Sequence, residues 1–135
     1  MGVYMGEIVE YKCNNCGYKI EAWTGLGFLS LKSKNDKKFI EELIKMNDTE
    51  YFRDLLKNHI DEVKILESNE MYQCENCNAL ENHKYIKIIC HKQVGIINVY
   101  CKKCKIPMIL VSKRGFANCP ICKNVLDIID IGSWD

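Results

Sequence analysis

Eight of the nine cysteines in this chain fall into four Cys-x-x-Cys pairs: Cys13/Cys16, Cys74/Cys77, Cys101/Cys104 and Cys119/Cys122. Thiols at that spacing serve two kinds of chemistry. They cycle between dithiol and disulfide, or a tight turn aims both sulfurs at one metal ion and a second pair completes a tetrahedron. Thioredoxin-like dithiols place a single motif ahead of a helix in a βαβ unit. Four pairs in strand-like surroundings, with only Cys90 left over, point instead to two four-cysteine metal sites. Four thiolates also fill a tetrahedral ion and leave no position for a catalytic water. No His-Glu helix motif or nucleophile elbow is present, and "TGLGF" at 24–28 lacks the Gly-Lys-Ser/Thr ending of a phosphate loop. The expectation is a protein without enzymatic activity and without catalytic residues.

Four knuckles couple into two sites in three ways. Residues 101–122 read C-x2-C-x14-C-x2-C, close to the separation of a self-contained zinc site. Between the pairs, Ile106, Met108, Ile109, Leu110 and Val111 suit a strand, Lys113-Arg114-Gly115 a turn, and Phe116 the start of a return. Spacing therefore favours Cys101/Cys104 with Cys119/Cys122, which leaves Cys13/Cys16 for Cys74/Cys77 across 57 intervening residues. This stretch resembles a zinc ribbon, and "CPIC" resembles the second knuckle of that superfamily. "YKCNNCGYKI" resembles the first knuckle of zinc ribbons and rubredoxins, down to Gly17 after the second cysteine. That position often needs a left-handed backbone, which Gly gives freely and Asn tolerates. Asn78 occupies it in the second knuckle, whereas Lys105 and Lys123 in the others imply some strain or a different turn. The resemblance extends to the cysteine hairpins and implies two Zn2+ per chain. Iron is the alternative ion, since four thiolates hold either metal, and it would make a rubredoxin-like electron carrier.

The elements that must position these cysteines are read from periodicity. Phe39, Ile40, Leu43 and Ile44 repeat at helical spacing, and so do Tyr51, Phe52, Leu55, Leu56, His59 and Ile60. An Asn47–Glu50 capping box separates them, so a helical hairpin is expected at about 35–63. In "HKYIKIICHKQVGIINVYC", two strands are expected around a turn near Gln93 to Gly95, with Ile86, Ile88 and Cys90 on one apolar face. Cys90 is then a buried small hydrophobe rather than a ligand. His91 beside it is able to stand in for a cysteine at a metal site, though nothing in the pattern requires it. The expected fold is α+β: two zinc-ribbon-like β modules with an inserted α-helical hairpin. Residues 1–83 would form the first module and 84–135 a basic β-hairpin with the C-terminal ribbon.

The net charge of +1 hides a strong asymmetry. From Lys84 to Lys123 there are nine basic side chains and no acidic one, whereas residues 1–83 sum to −5 and the tail from 124 to −3. Lys87, Lys92, Lys102, Lys103, Lys105, Lys113, Arg114 and Lys123 are the candidate contacts of this block. It suits weakly sequence-selective binding of nucleic acid, with lysines on phosphates and Tyr85, Tyr100 or Phe116 stacking on bases. Docking on an acidic protein partner is the competing use, and a merely solvating surface the bland one. No stretch approaches the length of a membrane span, and "MGVYMGEIVEYK" lacks the basic start and apolar run of a secretory signal. A cytoplasmic location, with thiols kept reduced, is expected.

Overall fold

The computed structural model describes residues 6–25, 41, 45, 50–59 and 62–134. Its elements, in chain order, begin with β1 (Gly6–Lys12), β2 (Lys19–Thr24), α1 (Glu50–Asn58) and β3 (Val63–Gln73). They continue with β4 (Leu80–Cys90), β5 (Gln93–Ile96), β6 (Ile109–Leu110), the single helical turn α2 (Val111–Arg114) and β7 (Asp127–Trp134). Strands dominate, so the α+β class holds with β structure in the larger share. Of the expected helical hairpin, the second helix is present as α1; of the first, only Glu41 and Lys45 are among the described residues, both helical, and the rest lies outside them. No helix among the described residues is long and apolar enough to cross a membrane.

The strands form two sheets, in the orders β2-β1-β7 and β5-β4-β3-β6. In β1 the inward positions Val9 and Tyr11 alternate with outward Glu10 and Lys12, and the alternation runs on into buried Cys13. Strand β7 pairs antiparallel with β1, its register interrupted by a bulge at Ile8/Val9. This pairing overturns the expected division of the chain at 83/84. The N-terminal hairpin shares its sheet with residues 127–134, and position 83 lies inside β4. The second sheet is inserted, as a unit of sequence, between the two parts of the first.

Strands β3 and β4 make an eleven-residue hairpin, from Val63 opposite Cys90 to Gln73 opposite Leu80. Leu56 of α1, with Leu55 beside it, packs on its far half with Val63, Ile88, Cys90 and Ile97, which accounts for these two residues of the apolar stripe. Cys90 is fully buried there, as the alternation in β4 requires. The β4–β5 turn falls at His91-Lys92 rather than at Gln93–Gly95. His91 takes the positive φ of 56°, and Gly95 sits in β5 opposite Ile88. The expected strand over Ile106–Val111 is shortened to Ile109–Leu110, since Val111 already begins α2, which ends on left-handed Gly115.

One buried amide joins the two halves. Gln73, wholly inaccessible, donates from Nε2 to the carbonyls of Asn78 (2.9 Å) and Asn118 (2.7 Å). Its Oε1 accepts from the Asn118 N–H (2.9 Å) and from Arg114 Nη1 (3.3 Å). The side chain therefore ties the second knuckle to the segment that enters the fourth. Gln73→Ala would leave the buried Asn78 carbonyl and the part-buried Asn118 groups without these partners, at a cost of about 1–3 kcal/mol. Urea unfolding of the metal-loaded protein should show that loss; a change below about 0.5 kcal/mol, the level of an ordinary surface substitution, would deny the amide this role.

Candidate metal centres

The four Cys-x-x-Cys segments fold into the same turn. In each, the N–H of the first cysteine bonds the carbonyl five residues on: Cys13 to Tyr18, Cys74 to Ala79, Cys101 to Ile106 and Cys119 to Asn124. The carbonyl of that cysteine in turn accepts from the residue four on: Gly17, Asn78, Lys105 and Lys123. That residue is left-handed every time, with φ of 82°, 61°, 63° and 69°. The two lysines therefore adopt the same conformation as the glycine instead of a different turn, at a steric cost of about 1 kcal/mol each. Pro120, with its fixed φ, helps set the fourth turn.

The first two knuckles are the turns of the long hairpins β1–β2 and β3–β4. The third and fourth are closed by single bridges, Tyr100–Pro107 and Asn118–Val125. Each cluster couples one long-hairpin knuckle with one short one. Cys13 and Cys16 meet Cys119 and Cys122, and Cys74 and Cys77 meet Cys101 and Cys104. The coupling expected from spacing is thus corrected, because the knuckles are nested instead of consecutive. The physical reason is that loop closure depends only weakly on length. Replacing spans of 14 and 57 residues by 23 and 102 costs about 1 kcal/mol in the logarithmic approximation. The β1–β7 ladder and the Gln73 bonds outweigh that difference.

The geometry suits a tetrahedral ion. All four sulfurs of each cluster lie within 4.8 Å of one another. Sγ–Sγ separations of 3.4 Å (Cys13–Cys122), 3.5 Å (Cys16–Cys119) and 3.6 Å (Cys77–Cys101) are too long for a disulfide. They approach the edge of about 3.8 Å that four sulfurs at 2.3 Å from zinc would define. N–H groups point at the sulfurs as well: Ile121 to Cys119 (3.4 Å), Cys104 to Cys101 (3.5 Å) and the Asn76 amide to Cys104 (3.2 Å). Each cluster can hold one metal ion, consistent with zinc-ribbon-like sites. Comparison with known family models, characterised proteins and solved structures gives no match. The class rests on the fold and the two clusters: a β-rich protein with paired four-cysteine centres.

Electrostatics split the thiols of each cluster. The Asn124 N–H, followed by the Asn15 side chain, draws Cys122 down to about 6, and the Cys104 and Lys103 N–H groups draw Cys101 down to about 7. Cys119 is lowered too, since the N–H groups of Cys122 and Ile121 outweigh its desolvation. At Cys16 the Tyr18 N–H lowers the pKa, but desolvation and hydrogen bonds to Cys119, Cys13 and Cys122 push it up to about 12. At Cys77 the Ala79 N–H is likewise outweighed, and the thiol rises to about 11. In each cluster the raised thiol, Cys16 or Cys77, thus keeps its proton until a cation displaces it.

The basic residues proposed from sequence do not form one patch. Lys102, Lys103 and Lys105 are exposed on the third knuckle, Lys123 on the fourth, and Lys113 on α2. Lys92 lies at the opposite end of β4 from the second knuckle, and an eleven-residue strand spans about 35 Å. Lys87 is half-buried opposite Ile96. Arg114 bonds Gln73 and lies over the Phe116 ring at 4.3 Å, which gives both residues partners within the fold. Sequence reasoning missed Gln73, whose only signal is a polar residue at the buried end of a strand. It also missed the group His59, Glu62 and His91, which the fold brings together.

Three outcomes follow. Cys119→Ser should cost one ion and release Cys13 and Cys16 to alkylation while Cys74 and Cys77 stay protected; mass spectrometry after alkylation checks this, and the consecutive coupling would expose Cys101 and Cys104 instead. Because each ion must displace at least the raised proton of Cys16 or Cys77, metal affinity should fall at least about tenfold per unit of pH lowered from neutrality, measured by chelator competition. Lys105→Gly or Lys123→Gly should raise stability by about 0.5–1 kcal/mol in thermal unfolding, through relief of the left-handed lysine.

Proposed function

We propose that this protein is a non-enzymatic zinc-binding module whose two structural ions hold out a surface for single-stranded nucleic acid. The observation that carries the reading is a cavity of about 260 Å³ lined by Tyr72, Tyr85, Ile97, Val99, Met108 and Lys113. Met108 and Tyr72 also pack against Cys74 and Cys101, so the cavity adjoins the second cluster. An apolar wall with two tyrosine rings and one lysine suits a base stacked on Tyr85 with its phosphate on Lys113. The volume falls just below the range of about 300–1,000 Å³ for whole small-molecule sites, and it suits a single base better than a complete cofactor.

Lys102, Lys103 and Lys105 on the adjoining knuckle would follow the phosphate backbone, and they lack the forked geometry that Arg brings to base edges. Four thiolates around a dication leave a charge of about −2, part of which these lysines offset. Zinc is favoured over iron because closed sites of four cysteines are the usual structural zinc arrangement.

Native mass spectrometry should give one thiolate-bound zinc ion for each of the two cysteine clusters, and an iron form would betray itself by visible absorption. A labelled oligonucleotide should bind at low salt with an affinity that falls steeply as salt rises. Lys113→Ala should weaken all sequences alike and flatten the log–log salt slope by about 0.7. Tyr85→Leu, which keeps an apolar side chain in the wall, should lose about 1–3 kcal/mol of binding without changing that slope. Absence of binding even at low salt would leave the lysines to a protein partner or to solvent.

A further inference from the structure

Away from both cysteine clusters, three side chains from separate segments converge on one point. His59 follows the end of α1, Glu62 immediately precedes β3, and His91 forms the turn between β4 and β5. One carboxylate oxygen, Glu62 Oε2, lies 2.6 Å from His91 Nε2 and 3.9 Å from His59 Nδ1. The two imidazole rings stand edge to face with centroids 4.4 Å apart. All three donor atoms fall within 4.8 Å of one another.

We propose that these residues form a third metal site, for a borderline divalent cation such as Zn2+. Imidazole nitrogen and carboxylate oxygen are the donors such ions take outside thiolate sites. With bonds of about 2.0–2.1 Å, two donors on a tetrahedral ion stand about 3.4 Å apart. The separations of 2.6 Å and 3.9 Å bracket that value, so small rotations of His91 and His59 complete the geometry.

The backbone supports the placement. The Glu62 N–H bonds the His59 carbonyl at 2.9 Å, which holds the main chain of two of the ligands together. His91 sits at φ 56°, a left-handed conformation that His, like Asn, tolerates, and its ring is held against Glu62. Cys90 is not part of the group, since its thiol is buried against Leu56 and Ile88. All three ligands are solvent-accessible. Three protein donors leave a coordination position for water or for a donor from another molecule, as in open zinc sites and unlike the closed clusters.

The test uses the full chain and Co2+, counted by native mass spectrometry with the visible spectrum recorded alongside. Cobalt in a thiolate cluster absorbs through sulfur-to-metal charge transfer, whereas a nitrogen–oxygen site adds mass without that band. Three ions are expected, the third spectroscopically silent in the charge-transfer region. His91→Asn keeps a residue suited to the left-handed turn, and Glu62→Gln keeps the shape of the carboxylate. Each should weaken the third ion at least about tenfold and leave the charge-transfer bands intact. Saturation at the thiolate-bound ions alone would overturn the proposal, as would a third ion whose affinity neither variant changes. Loss of the charge-transfer bands themselves would count against the cysteine centres and not against this site.

Discussion

Four sulfur atoms within 4.8 Å of one another are the constraint around which each half of this protein is arranged. Left to themselves, such thiols titrate unequally: backbone N–H groups draw Cys122 and Cys101 down, while desolvation and the neighbouring thiols outweigh the N–H groups at Cys16 and Cys77 and push them up. A divalent ion resolves the conflict by replacing protons with one central charge. The turns deliver the sulfurs, the sheets hold the turns at the right separation, and Gln73 keeps the two centres in fixed relation. The apolar clusters are small and local, one around each centre and one under α1. A chain with such divided cores leans on whatever crosslinks its knuckles.

The shape of the knuckles was legible in the residues themselves, because Cys-x-x-Cys followed by a left-handed position is a short-range pattern. Which knuckle meets which was not legible, since the answer lies in β-pairing between residues more than a hundred positions apart. Strand β3 also escaped detection. Its middle, Glu67-Ser68-Asn69-Glu70, is polar on both faces and carries no alternation, yet it pairs residue for residue with β4. Cys90 could be placed on a buried face because Ile86 and Ile88 fix the phase of the strand. The turn was misplaced because Gly95 looked like the natural corner, whereas His91 supplies the positive φ.

Charge shows the limits of linear reading most clearly. A run of nine basic residues without an acidic one suggests a single electropositive surface. In three dimensions the long hairpin separates Lys92 from the knuckle lysines, an ion pair with Glu67 occupies Lys84 at 3.9 Å, and Arg114 is drawn into the join between the two halves. What remains near the second centre is a smaller group beside a cavity. That is a more local kind of site than the sequence implied.

The nesting of the knuckles also orders their completion as the chain leaves the ribosome. The inner set is whole once Cys104 has emerged, and its two hairpins can close with only 23 residues between them. Cys13 and Cys16, although synthesised before the others, wait for Cys119 and Cys122 and for the strand that follows them. During that interval a pair of reactive thiols stays uncovered. The first of the four knuckles to be made is therefore among the last to be locked.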